Sequence, residues 1–118
     1  MGRPSDDEVS VLLVDDRGIR RLNKVYLNHD RPTDVLAFPQ QQGLPSPQPH
    51  LLGDVVISVE TAARQSKEHG HSLAHELALL LIHGILHLVG YDDSTPATRR
   101  RMRTEEARLL AITSKPGS

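Results

Sequence analysis

A chain of 118 residues with a formal net charge of −1 and no cysteine is sized for one domain, and residues 1–118 are read as a single unit. Lack of cysteine removes disulfides, thiolate metal sites and cysteine nucleophiles together, fits a reducing cytoplasm, and leaves His, Asp and Glu as the available metal ligands. Near-neutral charge gives no global support for nucleic-acid binding, and the longest apolar run, Leu77 to Ile82, is far too short to span a bilayer.

Residues 1–7 read as a loose leader. Glu8 to Val14 is a β-rich run, expected to be a buried strand. Asp15-Asp16 suits a helix N-terminus, and Ile19, Leu22 and Tyr26 recur at helical spacing up to Leu27. Asn28 to Pro32 breaks that helix, and Asp34 to Phe38 reads as a second strand. Pro39 to His50 holds four of the eight prolines and four glutamines, so it is expected to be a mobile surface loop. Leu51 to Val59 is apolar on both faces after Asp54, the mark of a central or covered strand. A short helix should follow from Ser58 or Glu60, stopping at Gly70. Ser72 can cap a longer one to about Val89, apolar nearly all round and hence the buried spine. Thr95-Pro96 starts a last helix, with Met102, Leu109 and Ile112 on one stripe, before a tail over 113–118. The order gives an α+β domain, a small mixed sheet packed against helices.

The chemistry concentrates in His83-Gly84-Ile85-Leu86-His87-Leu88-Val89-Gly90-Tyr91-Asp92-Asp93. His83 and His87 lie one turn apart, on one helix face. Gly90 can end the helix, so that Asp92 or Asp93 folds back beside the imidazoles. Two histidines and a third ligand after a turn form an open, catalytic-type metal site. Two unrelated histidines on so apolar a helix would each need a partner for their ring nitrogens; one metal serves both. The alternative is a pair hydrogen-bonded in the core or half exposed. Helical zinc proteases carry a glutamate general base directly after the first histidine. Gly84 cannot take a proton, which disfavours proteolysis by that route.

This stretch resembles the signature of the YbeY family of ribosomal RNA maturation endoribonucleases, H-G-x-L-H-L-x-G-Y-D-H. Leu22-Asn23, Tyr26 and Arg31 to Pro39 resemble the family's L-N-x-x-Y-R…P-T-D-V-L-S-F-P. Leu52 to Ile57 resembles its L-G-D-I-x-I, Gly70-His71-Ser72 with Glu76-Leu77 its G-H-S…E-L, and Met102, Glu106 and Leu109-Leu110 its closing helix. The resemblance spans about residues 9–112. It implies a zincin-like site on the buried helix, with one zinc ion per chain at His83, His87 and position 93. It also implies a cytoplasmic endoribonuclease whose partner is ribosomal RNA or the small ribosomal subunit.

The chain departs from the family at three places. Position 93 is aspartate rather than histidine: a competent zinc ligand, but one whose charge weakens the metal as a Lewis acid. Leu27 replaces an arginine suited to bidentate phosphate contacts; Arg31 is the nearest substitute and, with Asp92, a candidate catalytic residue. No counterpart of the family's first strand–helix unit precedes Glu8, so an open sheet edge is expected.

Other polar residues have blander readings. Asp54 fits a local hydrogen bond, or a role behind the ligands or toward substrate. Thr33 and Asp34 could line a cleft or form a turn. His71 and His75 read as solvent-facing or capping, and Tyr91 as packing. Arg99, Arg100, Arg101 and Arg103 are, with Arg31, the candidate RNA contacts; the competing reading is a solvated helix face with Arg101 paired to Glu105. With only Tyr26, Phe38 and Tyr91 aromatic, base stacking is not the main mode of recognition. The reading is a metal-dependent endoribonuclease. Its rivals are a non-catalytic RNA- or ribosome-binding module with a structural metal, and a small-molecule metallohydrolase.

Overall fold

The structure, a computed structural model, describes residues 8–40 and 51–113. The leader, most of the proline-rich loop and the tail lie outside the described residues. Seven elements follow in order: β1 (Glu8–Val14), α1 (Asp16–Leu27), β2 (Val35–Pro39), β3 (Leu51–Ser58), α2 (Val59–His69), α3 (Leu73–Leu88) and α4 (Pro96–Thr113).

β3 is the central strand, parallel to β1 and antiparallel to β2, with Val55 opposite both Val11 and Ala37. The sheet is therefore mixed, as expected. Side chains alternate across it. Val55 and Ile57 enter a core with Ala62 of α2 and Leu80 of α3. Val56 packs on the other side with Ile19 of α1 and Leu36. A third cluster, Ile82, Leu86 and Met102, joins α3 to α4. α3 thus meets the sheet, α2 and α4, and is the spine that its all-round apolarity predicts.

The element ends follow capping chemistry. Asp15 Oδ1 accepts from Gly18 N–H at 2.7 Å, and Asn28 ends α1 at φ 61. Ser58 and Ser72 cap α2 and α3 through the amides of Thr61 and His75. Thr95 and Thr98 exchange backbone-to-hydroxyl bonds at 3.0 and 3.1 Å across Pro96, in the first turn of α4. After Val89, Gly90 turns at φ 107 and Tyr91 N–H bonds Leu86 C=O at 2.9 Å, closing α3 in the way that positive-φ glycines do.

One contact sets how α3 lies on the sheet. A Cβ on Gly84 would stand 2.7 and 3.0 Å from the two Val55 methyls and 3.4 Å from a Val35 methyl. The helix backbone therefore rests on the strand where a side chain would hold it off.

Three expectations are corrected. β1 is an edge strand, not a buried one: Val11, Leu12 and Leu13 are about half exposed, and among the described residues β1 pairs with β3 alone. Tyr26 is exposed on α1, leaning only on the Phe38 ring at 5.4 Å. Ile112, at the C-terminal end of the α4 stripe, is exposed to solvent.

Among the described residues no single helix is long and apolar enough to cross a membrane.

Candidate metal centre

His83 and His87 occupy the last two turns of α3, and their ring nitrogens converge. The two Nε2 atoms are 3.2 Å apart. Two nitrogens on one tetrahedral zinc ion stand roughly 3.3 Å apart, given Zn–N bonds of about 2.0–2.1 Å. Past the Gly90 turn, Asp93 brings a carboxylate oxygen within 4.8 Å of both rings. Asp92 is not in this group. Its Oδ1 accepts from Ser94 N–H and Ser94 hydroxyl at 3.0 and 2.8 Å, which holds its carboxyl below the usual carboxylate range, helped by Thr98 and the nearby His87. It shapes the turn that delivers its neighbour.

Glu106, matched in the sequence only to the family's closing helix, is the residue whose place at the site went unread. It projects from α4, one turn after the buried Met102, and its Oε2 is hydrogen-bonded to His83 Nδ1. A proton held on Nδ1 by a carboxylate leaves the Nε2 lone pair directed at the His87 side. That is the arrangement which fixes the tautomer of a metal-binding imidazole. The signal was faint but present, an acidic residue in register with Met102 and Leu109 on the buried face of α4. The donor set of two imidazoles, one carboxylate and a carboxylate behind one ring fits a divalent metal ion.

Two hollows flank the histidines. A cleft of about 420 Å³ runs between α3 and β2, lined by His83, Gly84 and His87 on one wall and by Thr33 to Ala37 on the other. Thr33 and Asp34 therefore do line it, and Asp34 also accepts a bond from Gln65 at 3.3 Å. A smaller hollow of about 180 Å³ joins His83, Asp93 and Glu106 to Arg99, Arg103 and Met102; Arg99 Nε donates to the Asp93 carbonyl at 3.4 Å.

The arginine run is thereby divided. Arg99 and Arg103, one turn apart, face the candidate centre, while Arg101 borders a separate hollow with Asp92 and Thr98. Arg100 is exposed. Arg101 does not pair with Glu105, which binds Arg108 through two bonds of 2.9 and 2.5 Å. Arg31 is exposed and outside both hollows. The Asn23 side-chain amide holds Arg31's carbonyl at 2.9 Å. Asp54 is exposed on the face of the sheet turned toward α1, away from the histidines. Tyr91 packs against the cluster between α3 and α4.

Known proteins are similar to this chain in sequence and in fold. The family model described as "Endoribonuclease YbeY" matches residues 2–114. A protein named Endoribonuclease YbeY from Heliobacterium modesticaldum is 46% identical over 120 residues, covering 93% of this chain and 72% of its own length. Its namesake from Geobacter metallireducens is also 46% identical over 120 residues, covering 99% and 79%. The solution structure of TM1509 from Thermotoga maritima superposes with a TM-score of 0.58 at 27% identity, covering 96% of this chain and 79% of that one. Matched along nearly its whole length in sequence and in fold, the chain belongs to the YbeY family of endoribonucleases.

Proposed function

We propose that this endoribonuclease acts on ribosomal RNA of the small subunit, with zinc as its metal and His83, His87 and Asp93 as the ligands. The observation that carries the reading is the chain from Glu106 through His83 to His87, which fixes one imidazole and brings a second nitrogen to 3.2 Å. When bound, zinc supplies Lewis acidity toward a phosphoryl oxygen and acidifies water in the cleft. The remaining work falls to the protein. Glu106 retains the proton at His83 Nδ1 and keeps Nε2 free to ligate. Gly84, lacking a side chain, lets the cleft reach the β2 edge and leaves no glutamate to act as a protease base. Arg99 and Arg103 bring two positive charges to the hollow beside Asp93, where they offset its carboxylate and can hold a phosphate. Arg31, ahead of β2, is the further candidate for the phosphate contact that Leu27 cannot make.

The test is cleavage of a structured small-subunit ribosomal RNA fragment by the zinc-loaded protein, beside His83→Ala and a transfer RNA of similar length. Zinc at one ion per chain in this centre, cleavage of the ribosomal fragment in preference to transfer RNA, and loss in His83→Ala of this centre's zinc and of cleavage are expected. Cleavage undiminished by His83→Ala would sink the proposed mechanism, and equal cleavage of both RNAs would sink the proposed substrate.

A further inference from the structure

A second group of donors lies at the corner between α2 and α3, where the chain bends by 114° from one helix to the next. His69 is the last residue of α2, Gly70 turns the chain at φ 72, His71 follows, and Glu76 sits in the first turn of α3. His71 Nε2 is 2.5 Å and His69 Nδ1 3.4 Å from the same carboxylate oxygen, Glu76 Oε1. The three donors lie within 4.8 Å of one another, as do those of His83, His87 and Asp93.

We propose that His69, His71 and Glu76 form a second metal site, for a borderline divalent ion such as zinc or cobalt(II). The Glu76 side chain is only 4% exposed, and a buried carboxylate requires a charged or strongly polar partner. His71 already gives Glu76 one short hydrogen bond, but the His69 ring is held beside the same oxygen at a distance near the limit of a useful bond, so hydrogen bonding alone does not account for the second ring. As ligands, two imidazoles and one carboxylate are a complete open zinc set. Two imidazole nitrogen donors select zinc, cobalt or nickel over calcium or magnesium. The His69 side chain is 55% exposed, which gives an ion a way in. His75 rests on the His71 ring at 4.4 Å and props that ring from behind.

The site is separate from the one described above. Glu76 and His83 are seven residues apart on α3, which puts them on one face but roughly 10 Å apart along the axis. Two-metal catalysis needs about 3.5–4 Å. The second ion would be structural, tying the end of α2 and the turn after it to the start of the helix that carries His83 and His87. This inference does not depend on the endoribonuclease reading.

The test uses the untagged full chain carrying His83→Ala/His87→Ala, so that the first centre cannot contribute. Cobalt(II) is titrated while visible d–d absorption is followed, with bound metal counted after dialysis. One cobalt per chain is expected, together with a rise in thermal midpoint on adding zinc, and both should vanish when Glu76→Gln is added. No uptake by the double variant, or uptake unaffected by Glu76→Gln, overturns the proposal. Should Glu76→Gln fail to fold by circular dichroism, His69→Ala decides, because its exposed ring can be removed without disturbing the core. Cobalt affinity at least about tenfold weaker is then expected, and unchanged affinity overturns the site.

Discussion

Gly84→Ala measures how closely α3 is seated on the sheet. The new methyl would lie 2.7 and 3.0 Å from the Val55 methyls, where carbon atoms prefer about 3.5–4.0 Å. Val55 is fully buried on the central strand and hydrogen-bonded on both sides, so it cannot retreat; α3 must lift by a large fraction of an ångström. Overpacking of this kind costs about 1–3 kcal/mol, while alanine in place of glycine returns about 1 kcal/mol of helix propensity. The net expectation is a loss of about 1 kcal/mol, or about 3–5 °C in thermal midpoint for a chain of this size. Val55→Ala alone should cost about 2 kcal/mol from the two methyls removed and the space they leave. In the double variant the alanine methyl enters that space, so the two changes should couple favourably by about 1–2 kcal/mol. Urea unfolding of the four proteins measures this directly. RNA turnover in Gly84→Ala should fall more than metal affinity, since His83 and His87 move together while the cleft wall does not. A Gly84→Ala protein more stable than wild type, with effects simply additive to Val55→Ala, would refute the close seating of α3.

Other substitutions probe the rest of the site and the fold. Glu106→Gln removes the charge behind His83 and should weaken zinc binding by about 10–100-fold in a chelator competition; an unchanged constant would mean that Glu106 does not support the ligand. Asp93→Ala should lower zinc affinity, and unaltered affinity and stoichiometry would exclude Asp93 as a ligand. The Asp16 carboxyl is lowered from 3.8 to about 2 by the Ser58 hydroxyl first, then by Thr61 and Arg64. Because the folded value is depressed, its stabilisation is full above about pH 4 and is lost as pH falls towards 2. With 27% of the side chain exposed, Asp16→Asn should cost about 1–2 kcal/mol at pH 7 after allowance for screening. A wild-type–variant difference that stays constant in acid unfolding experiments down to pH 2 would contradict this origin. Arg99→Gln/Arg103→Gln should reduce the dependence of RNA affinity on log salt by about 1.4, at about 0.7 for each phosphate of a single strand that is no longer neutralised; an unaltered slope would remove both from the interface.

What was legible in the chain was mostly local. The unbroken apolar run Val55-Val56-Ile57 marked a strand covered on both faces, and the serines, threonines and glycines at helix ends marked their caps. The histidine pair was legible because four residues along a helix is a fixed geometry. The failures share a physical cause: periodicity reports which face of an element is apolar, not whether anything is there to cover it. Val11, Leu12 and Leu13 look like core residues, yet β1 has a neighbour on one side only. Ile112 keeps the spacing of its helix yet is exposed. Pairings between distant residues were silent for the same reason. The His83–Glu106 pair spans 23 residues, and the Asp16 hydrogen bonds to Ser58 and Thr61 span 42 and 45. Arg101 and Glu105 had acceptable helical spacing, but Arg108 stands closer to that carboxylate and takes it with two bonds.

Among the described residues β2 pairs with β3 on one side alone, and successive residues from Thr33 to Ala37 all contribute to the wall of the cleft. A strand edge presents peptide N–H and C=O groups at a repeat of roughly 6.8 Å, two residues of extended chain. These groups are the same whatever side chains they carry. An RNA strand laid along them meets neutral dipoles that can bond phosphate and sugar oxygens but have no means of telling one base from another. Any discrimination between bases in this groove falls to the side chains of its walls, Thr33, Asp34 and the two histidines among them, and not to the strand edge itself.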